Sequence, residues 1–296
     1  MSKLSLNQQL WNAVQDNDLQ MVEAAIVAGA DPDFRDAPSD PTSDRAPYGT
    51  HSVLHEAVSL GNTVAVQLLL RYGAEQTKDG VYGLTPLHLA TLEGNLEITR
   101  LLLDNKADPK ARCDTGDSVF MTALMGENPY INGVPWFYQK TENPEKLLPL
   151  LEMLIEAKVD INAPNDAGET PLWNVIRYQS VPVLEWMIAH GANIHQVTVF
   201  DTDLIAEAGL ALSRADTWAD IPERKREGGL MRRQVVELLT VLHDQGLAWK
   251  DIPEEEIVYQ YPSHQVHMEL KSMWGSLDRG PARPSRTASV TTQQMK

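Results

Sequence analysis

One eight-residue string, Gly83-Leu84-Thr85-Pro86-Leu87-His88-Leu89-Ala90, recurs in altered form, and the recurrence limits the fold more than any other feature of the chain. Ser52-Val53-Leu54-His55-Glu56-Ala57 stands thirty-three residues earlier, and Gly168-Glu169-Thr170-Pro171-Leu172-Trp173-Asn174-Val175 stands further on. A fixed period of this length means that each repeat is one supersecondary unit, stacked on its neighbours to bury a continuous core. Function in such an array is expected on a surface rather than in an enclosed pocket.

The segment 80–112 is the cleanest copy. Gly83 supplies a turn. Thr85 can cap a helix, and Pro86 fits the first helical position, where its missing N–H costs nothing. Leu87, Ala90 and Thr91 share one helical face. Gly94-Asn95 breaks that helix, and Ile98, Leu102 and Leu103 carry a second one at amphipathic spacing. This unit resembles the ankyrin repeat, with its β-turn, two antiparallel helices and Thr-Pro-Leu-His signature. The resemblance implies an all-α solenoid of about six helix-turn-helix units with β-turn fingers. The units fall near 6–36, 47–79, 80–112, 117–163, 165–197 and 199–250, the last of them degenerate. The fourth is read as starting at Thr122-Ala123-Leu124-Met125, with Met125 in place of the histidine, a four-residue excess near Cys113 to Asp117, and fifteen residues inserted before it resumes at Leu150. Trp173 replaces the histidine of the fifth. After Trp249 the repeat is lost. A C-terminal capping segment is expected over 251–275, and a disordered tail over 276–296.

Composition narrows the function. The 296 residues are 43% hydrophobic, which supports a packed core. No apolar run approaches a membrane span, and Met1 to Leu10 is no signal-peptide core, so a cytoplasmic protein is expected. Cys113 is the only cysteine, which excludes an internal disulfide framework. A net charge of −16 opposes nucleic-acid binding; it either favours a basic protein partner through steering or merely keeps a cytosolic protein soluble.

Insertions are where a solenoid carries individuality. Asp33 to Gly49 reads as an acidic, proline-rich exposed loop. Gly126 to Lys146 carries Tyr130, Trp136, Phe137 and Tyr138 among Gly and Pro; these aromatics either pack back on adjacent units or form a hot spot for a partner. Arg214 to Met231 reads as a charged loop holding Arg224-Lys225-Arg226, with Arg232-Arg233 just beyond. Its charges either pair locally with Asp220, Glu223 and Glu227 or add to a surface with the aromatic insertion, since both insertions are expected on one edge.

Catalytic signals are absent. His55-Glu56 lacks the second histidine of a zinc motif, His264 and His267 lack further ligands, and Cys113 has no evident base partner. His55 and His88 are read as structural. No catalytic, metal or cofactor residue is assigned. In proteins similar to this one, partners bind a concave face through the variable positions of each unit. Carrying those positions over gives Tyr48 and His51; Val81, Tyr82, Leu84, Leu92 and Glu93; Val119, Met121 and Tyr130; and Glu169, Arg177 and Tyr178. Val81, Tyr82, Leu84, Leu92, Val119 and Met121 are expected either to form an exposed apolar interface or to be covered by the inserted loop or the C-terminal segment. The resemblance implies a protein-binding module; its compact, stand-alone form with no fused effector domain is expected to be a monomer on its own. It is expected to act as a stoichiometric binder or inhibitor of one basic partner, with an immunity protein that masks a toxin enzyme as one version. A general adaptor is the rival reading and an enzyme the distant one.

Overall fold

The structure is a computed structural model that describes residues 5–35, 51–76, 80–125, 144–178, 180–199, 203–219, 225–249 and 264–278. The chain divides into two compact units, Met1–Asp201 and Thr202–Lys296. Among the described residues there is no β-strand, only the isolated bridges Arg35–Ser52 and Arg112–Ser118.

Five helix pairs build the first unit. They are α1 (Leu6–Gln15) with α2 (Leu19–Val27), α3 (Val53–Ser59) with α4 (Thr63–Arg71), α5 (Pro86–Leu92) with α6 (Leu96–Asp104), α7 (Val119–Met125) with α8 (Pro144–Glu156), and α9 (Pro171–Tyr178) with α10 (Val181–Ala189). The helices start where a side-chain oxygen can accept an otherwise orphaned N–H three residues on. Ser5, Asp18, Ser52, Asn62, Thr85 and Asn95 all do this. The odd-numbered helices stack on one another in one row and the even-numbered helices in a second. Leu54, Leu87, Phe120 and Leu172 fill the same buried slot in successive units.

This register corrects the reading of the fourth unit. His55, His88 and Met121 follow at intervals of thirty-three residues, and Trp173 comes fifty-two after Met121. Met121, not Met125, therefore holds the histidine slot, and there is no excess near Cys113 to Asp117. The extra nineteen residues fall between α7 and α8, where 126–143 lie outside the described residues. Ser118 opens the unit by accepting the Met121 N–H at 3.3 Å. Thr122, taken for the start, lies inside α7, where its hydroxyl donates to the Val119 carbonyl and meets the Thr91 hydroxyl at 2.8 Å. A slip of four residues is close to one helical turn, so it leaves the apolar periodicity intact and undetected.

Before the third, fourth and fifth helix pairs the chain forms fingers of five residues. In each, the first residue donates its N–H to the carbonyl of the fifth: Gly80 to Leu84, Cys113 to Asp117 and Asn165 to Glu169. Gly83, Gly116 and Gly168 close the turn at φ of 68°, 76° and 80°. A Cβ at Gly83 or Gly116 would stand 2.2 Å from the carboxylate of Asp114 or Asp166 on the next finger, and one at Gly168 would stand 2.9 Å from the backbone nitrogen of Val199. The fingers are also tied tip to tip. Asp114 N–H donates to the Tyr82 carbonyl at 3.0 Å, Asp166 N–H to Thr115 at 3.1 Å, and Val199 N–H to Ala167 at 3.1 Å.

The second unit holds α11 (Leu204–Ala219), α12 (Lys225–Asp244) and α13 (His264–Asp278). Helix α13 packs on both α11 and α12 and buries Val266, Leu270 and Trp274. Arg232 pairs with Glu269, and His243 Nε2 lies 2.8 Å from Asp278 Oδ1. The expected charged loop at Arg214 to Met231 is largely helix instead: α11 runs on to Ala219 and α12 begins at Lys225. No Gly or Pro interrupts Arg214 to Ala219, and the pair Gly228-Gly229 lowers helix propensity by only about 1 kcal/mol each. Among the described residues no helix is long and apolar enough to cross a membrane.

Candidate functional site

The fingers are held to the helices behind them by two buried histidines. His88 Nδ1 lies 3.2 Å from the Thr85 N–H and so must accept, while the Thr85 hydroxyl accepts the His88 N–H at 3.3 Å. The ring proton is therefore on Nε2, which donates to the carbonyl of Asp117 in the next finger at 3.3 Å. His55 repeats the arrangement, with Nδ1 2.7 Å from Ser52 Oγ and Nε2 3.0 Å from the Leu84 carbonyl. Burial pushes His88 down to about 4. Burial, reinforced by neighbouring His51, pushes His55 down to about 3. Both rings are neutral pegs with both nitrogens engaged. Among the described residues no group of three or more His, Cys, Asp or Glu could hold a metal ion.

In front of these pegs a cleft opens between the third and fourth units. Tyr82, Leu84 and Leu92 line one side, and Thr115, Asp117 and Met125 the other. In the corrected register these two triplets are equivalent positions of adjacent units. Thr115 Oγ1 donates to Asp117 Oδ2 at 2.6 Å. Asn165 Nδ2 donates to Asp117 Oδ1 at 2.9 Å and to Glu169 Oε2 at 3.2 Å. Arg177 completes the row with a 2.8 Å ion pair to Glu169. One hydrogen-bonded chain thus runs across the faces of the fourth and fifth units. This hydrogen-bonded chain is only partly buried, and a polar network is most rigid when every member is satisfied.

The predicted partner-binding residues fare unequally. Tyr82, Glu93, His51, Glu169 and Arg177 are partly exposed, and His51 stacks on His55 at 5.7 Å. Val119 and Met121 are 0% exposed, because α7 lies between α5 and α9 and these side chains fill the space. They leave the candidate surface, and the register slip is the reason they entered it. Leu84 and Leu92, 7% and 2% exposed, are walls of the cleft rather than an exposed apolar patch. Tyr48, Tyr130, Trp136, Phe137 and Tyr138 lie outside the described residues, as do the side chains of Val81 and Tyr178. Thr115, Asp117, Asn165 and, as a surface position, Met125 were missed. The interval from His88 to Met121 was the signal that finds the three in the fourth unit.

Comparison with known proteins agrees with this architecture. Sequence profiles described as ankyrin repeats (3 copies) and ankyrin repeats (many copies) match residues 10–113 and 148–195. A stretch of 66 residues is 44% identical to protein phosphatase 1 regulatory subunit 27 of Homo sapiens, covering 22% of this chain and 43% of that protein. Over 117 residues the chain is 34% identical to ankyrin repeat and KH domain-containing protein mask-1 of Caenorhabditis elegans, covering 39% of this chain and 4% of that one. Over 142 residues it is 30% identical to phosphocholine transferase AnkX of Legionella pneumophila, covering 47% and 13%. The chain spans less than half the length of each of these relatives.

Proposed function

Because the chain belongs to the ankyrin-repeat family, it is a protein–protein interaction module, and we propose that it is a cytoplasmic, stoichiometric binder or inhibitor of one basic partner protein. The observation that carries the proposal is the charge on the fingers. Asp114, Asp117, Asp166 and Glu169 stand on two adjacent fingers. Arg112 pairs with Asp166 and Arg177 with Glu169, while Asp114 and Asp117 have no cationic partner among the described residues. A face of uncompensated carboxylates steers a cationic protein toward it and disfavours nucleic acid. The net charge of −16 acts in the same direction. In this reading the chain is a monomer on its own and contributes no chemistry. The rival is an adaptor that holds two proteins, one on the finger face and one on the aromatic segment from Tyr130 to Tyr138. An immunity protein for a basic toxin enzyme is the most specific form of the first reading.

Affinity capture tests these readings, run side by side with the wild-type chain and an Asp117→Asn, Glu169→Gln double variant. One dominant partner of high isoelectric point, forming a one-to-one complex by light scattering and lost from the variant, is the expected result. Several partners with separable losses on Tyr82→Ala and Trp136→Ala identify the adaptor. Undiminished capture by every variant removes the finger face from consideration.

A further inference from the structure

The cleft between the third and fourth units combines three kinds of surface. Leu84, Leu92 and Met125 make its walls aliphatic, Tyr82 adds an aromatic ring, and Asp114 and Asp117 add carboxylates. Asp117 is 9% exposed, and among the described residues its carboxylate meets only neutral donors, the Thr115 hydroxyl, the Asn165 amide and the Cys113 thiol. A carboxylate buried to this degree is ordinarily matched by a cation. Among the described residues neither Asp117 nor Asp114 has one. Aliphatic walls that lead to an aromatic ring and carboxylates are complementary to a side chain with a hydrocarbon stem and a positive head.

We infer that this cleft receives one long cationic side chain, an arginine or a lysine, projecting from an extended segment of the partner. The stem lies against Leu84, Leu92 and Met125, and the head reaches Asp117 and Asp114 beside the Tyr82 ring. The inference rests on the basic-partner reading above and names the chemistry by which that partner is held. Arginine has the advantage of a planar head that stacks on an aromatic face while donating to a carboxylate.

The test is a titration of the full chain, labelled for backbone NMR, with acetyl-Leu-Arg-Leu-amide, its lysine counterpart and its citrulline counterpart, which keeps the shape but not the charge. The amides of Tyr82, Asp114, Thr115 and Asp117 are expected to shift with the arginine peptide. Citrulline or Asp117→Asn should weaken the binding about tenfold or more. Tyr82→Asn should weaken it less; asparagine suits the positive φ of 60° at this position, so the loss reports the ring rather than the backbone. Stronger binding of the arginine than of the lysine peptide identifies a guanidinium site, and the reverse an ammonium site. Equal shifts with citrulline overturn the inference. So do shifts spread evenly over the acidic surface that vanish in about 0.15 M salt. If peptide binds only after residues 126–143 are replaced by a Gly-Ser linker, the chain's own segment fills the cleft and the inference fails. Loss of partner capture on Asp117→Asn without any peptide shift leaves the basic-partner reading standing and removes this site. Peptide shifts at the cleft without any basic partner captured do the opposite.

Discussion

His88 Nε2 lies 3.3 Å from the carbonyl oxygen of Asp117, so a ring in the core of the third unit holds the residue whose carboxylate lines the cleft in front of it. Replacing His88 by alanine opens a cavity, orphans the Thr85 N–H and leaves the Asp117 carbonyl with the Cys113 N–H alone. The expected loss is about 3 kcal/mol in urea unfolding. The same variant should bind any finger-face partner more weakly per folded molecule, which a titration at matched folded concentration reads out. Unchanged affinity would separate the peg from the cleft.

The two histidines also set a pH dependence. Each is depressed in the folded state, to about 3 for His55 and about 4 for His88, below an unfolded value of about 6.5. Between those values the unfolded chain binds more protons than the native one. Their contribution is therefore complete above about pH 6.5 and is lost as pH falls toward 4 and then 3. The limiting slope is about 1.4 kcal/mol per pH unit for each ring. Denaturant unfolding between pH 7.5 and 5 should show stability rising with pH, with a shallower slope in His88→Gln. Equal slopes would mean that His88 does not titrate this way.

Thr85 and Thr170 open helices at equivalent positions but are not equivalent energetically. The Thr85 hydroxyl meets His88 Nδ1 at 2.8 Å, whereas Thr170 Oγ1 and the buried Trp173 Nε1 have no hydrogen-bond partner among the described residues. Thr85→Ala should cost about 1–2 kcal/mol and Thr170→Ala about half of that or less. Equal costs in the same unfolding assay would count against the pairing.

Glycine at positive φ, whether after a helix as at Gly191 or at a finger corner as at Gly168, is required for two reasons that mutation can separate. Gly191 has a φ of 89° with no atom of the described residues within 4 Å of its missing Cβ, while Gly168 has a φ of 80° and backbone atoms of Thr198 and Val199 within 2.9–3.2 Å. Gly191→Ala should lose about 1 kcal/mol from conformation alone. Gly168→Ala should lose roughly 2–4 kcal/mol, since a backbone cannot rotate away as a side chain can. Thermal unfolding of both variants checks the order.

The Thr85-Pro86-Leu87-His88 string gave away the fold because each residue type has one use there, as cap, first-turn residue, core side chain and peg. The candidate site was harder to read. Ser118 lacks the Pro that marks the start at Thr85 and Thr170, so the fourth unit slid one turn and delivered Val119 and Met121, both core residues, in place of Thr115, Asp117 and Met125. Arg214 to Ala219 looked like loop because of its charge, yet charge does not stop a helix when no breaker is present. Leu84 and Leu92 were legible as apolar but not as walls. That distinction depends on the neighbouring finger, thirty-odd residues away in sequence.

The tip-to-tip bonds from Tyr82 to Asp114, Thr115 to Asp166 and Ala167 to Val199 contribute one rung per unit, made of backbone alone. Such a row works as a ruler. Apart from the corner glycines, side chains at the tips can change without moving the graduations, because each rung joins backbone atoms. A partner segment with the right repeat distance meets every graduation at once, and one with a different repeat distance falls out of step by the second or third. In the basic-partner reading proposed above, the chain selects by length as well as by charge.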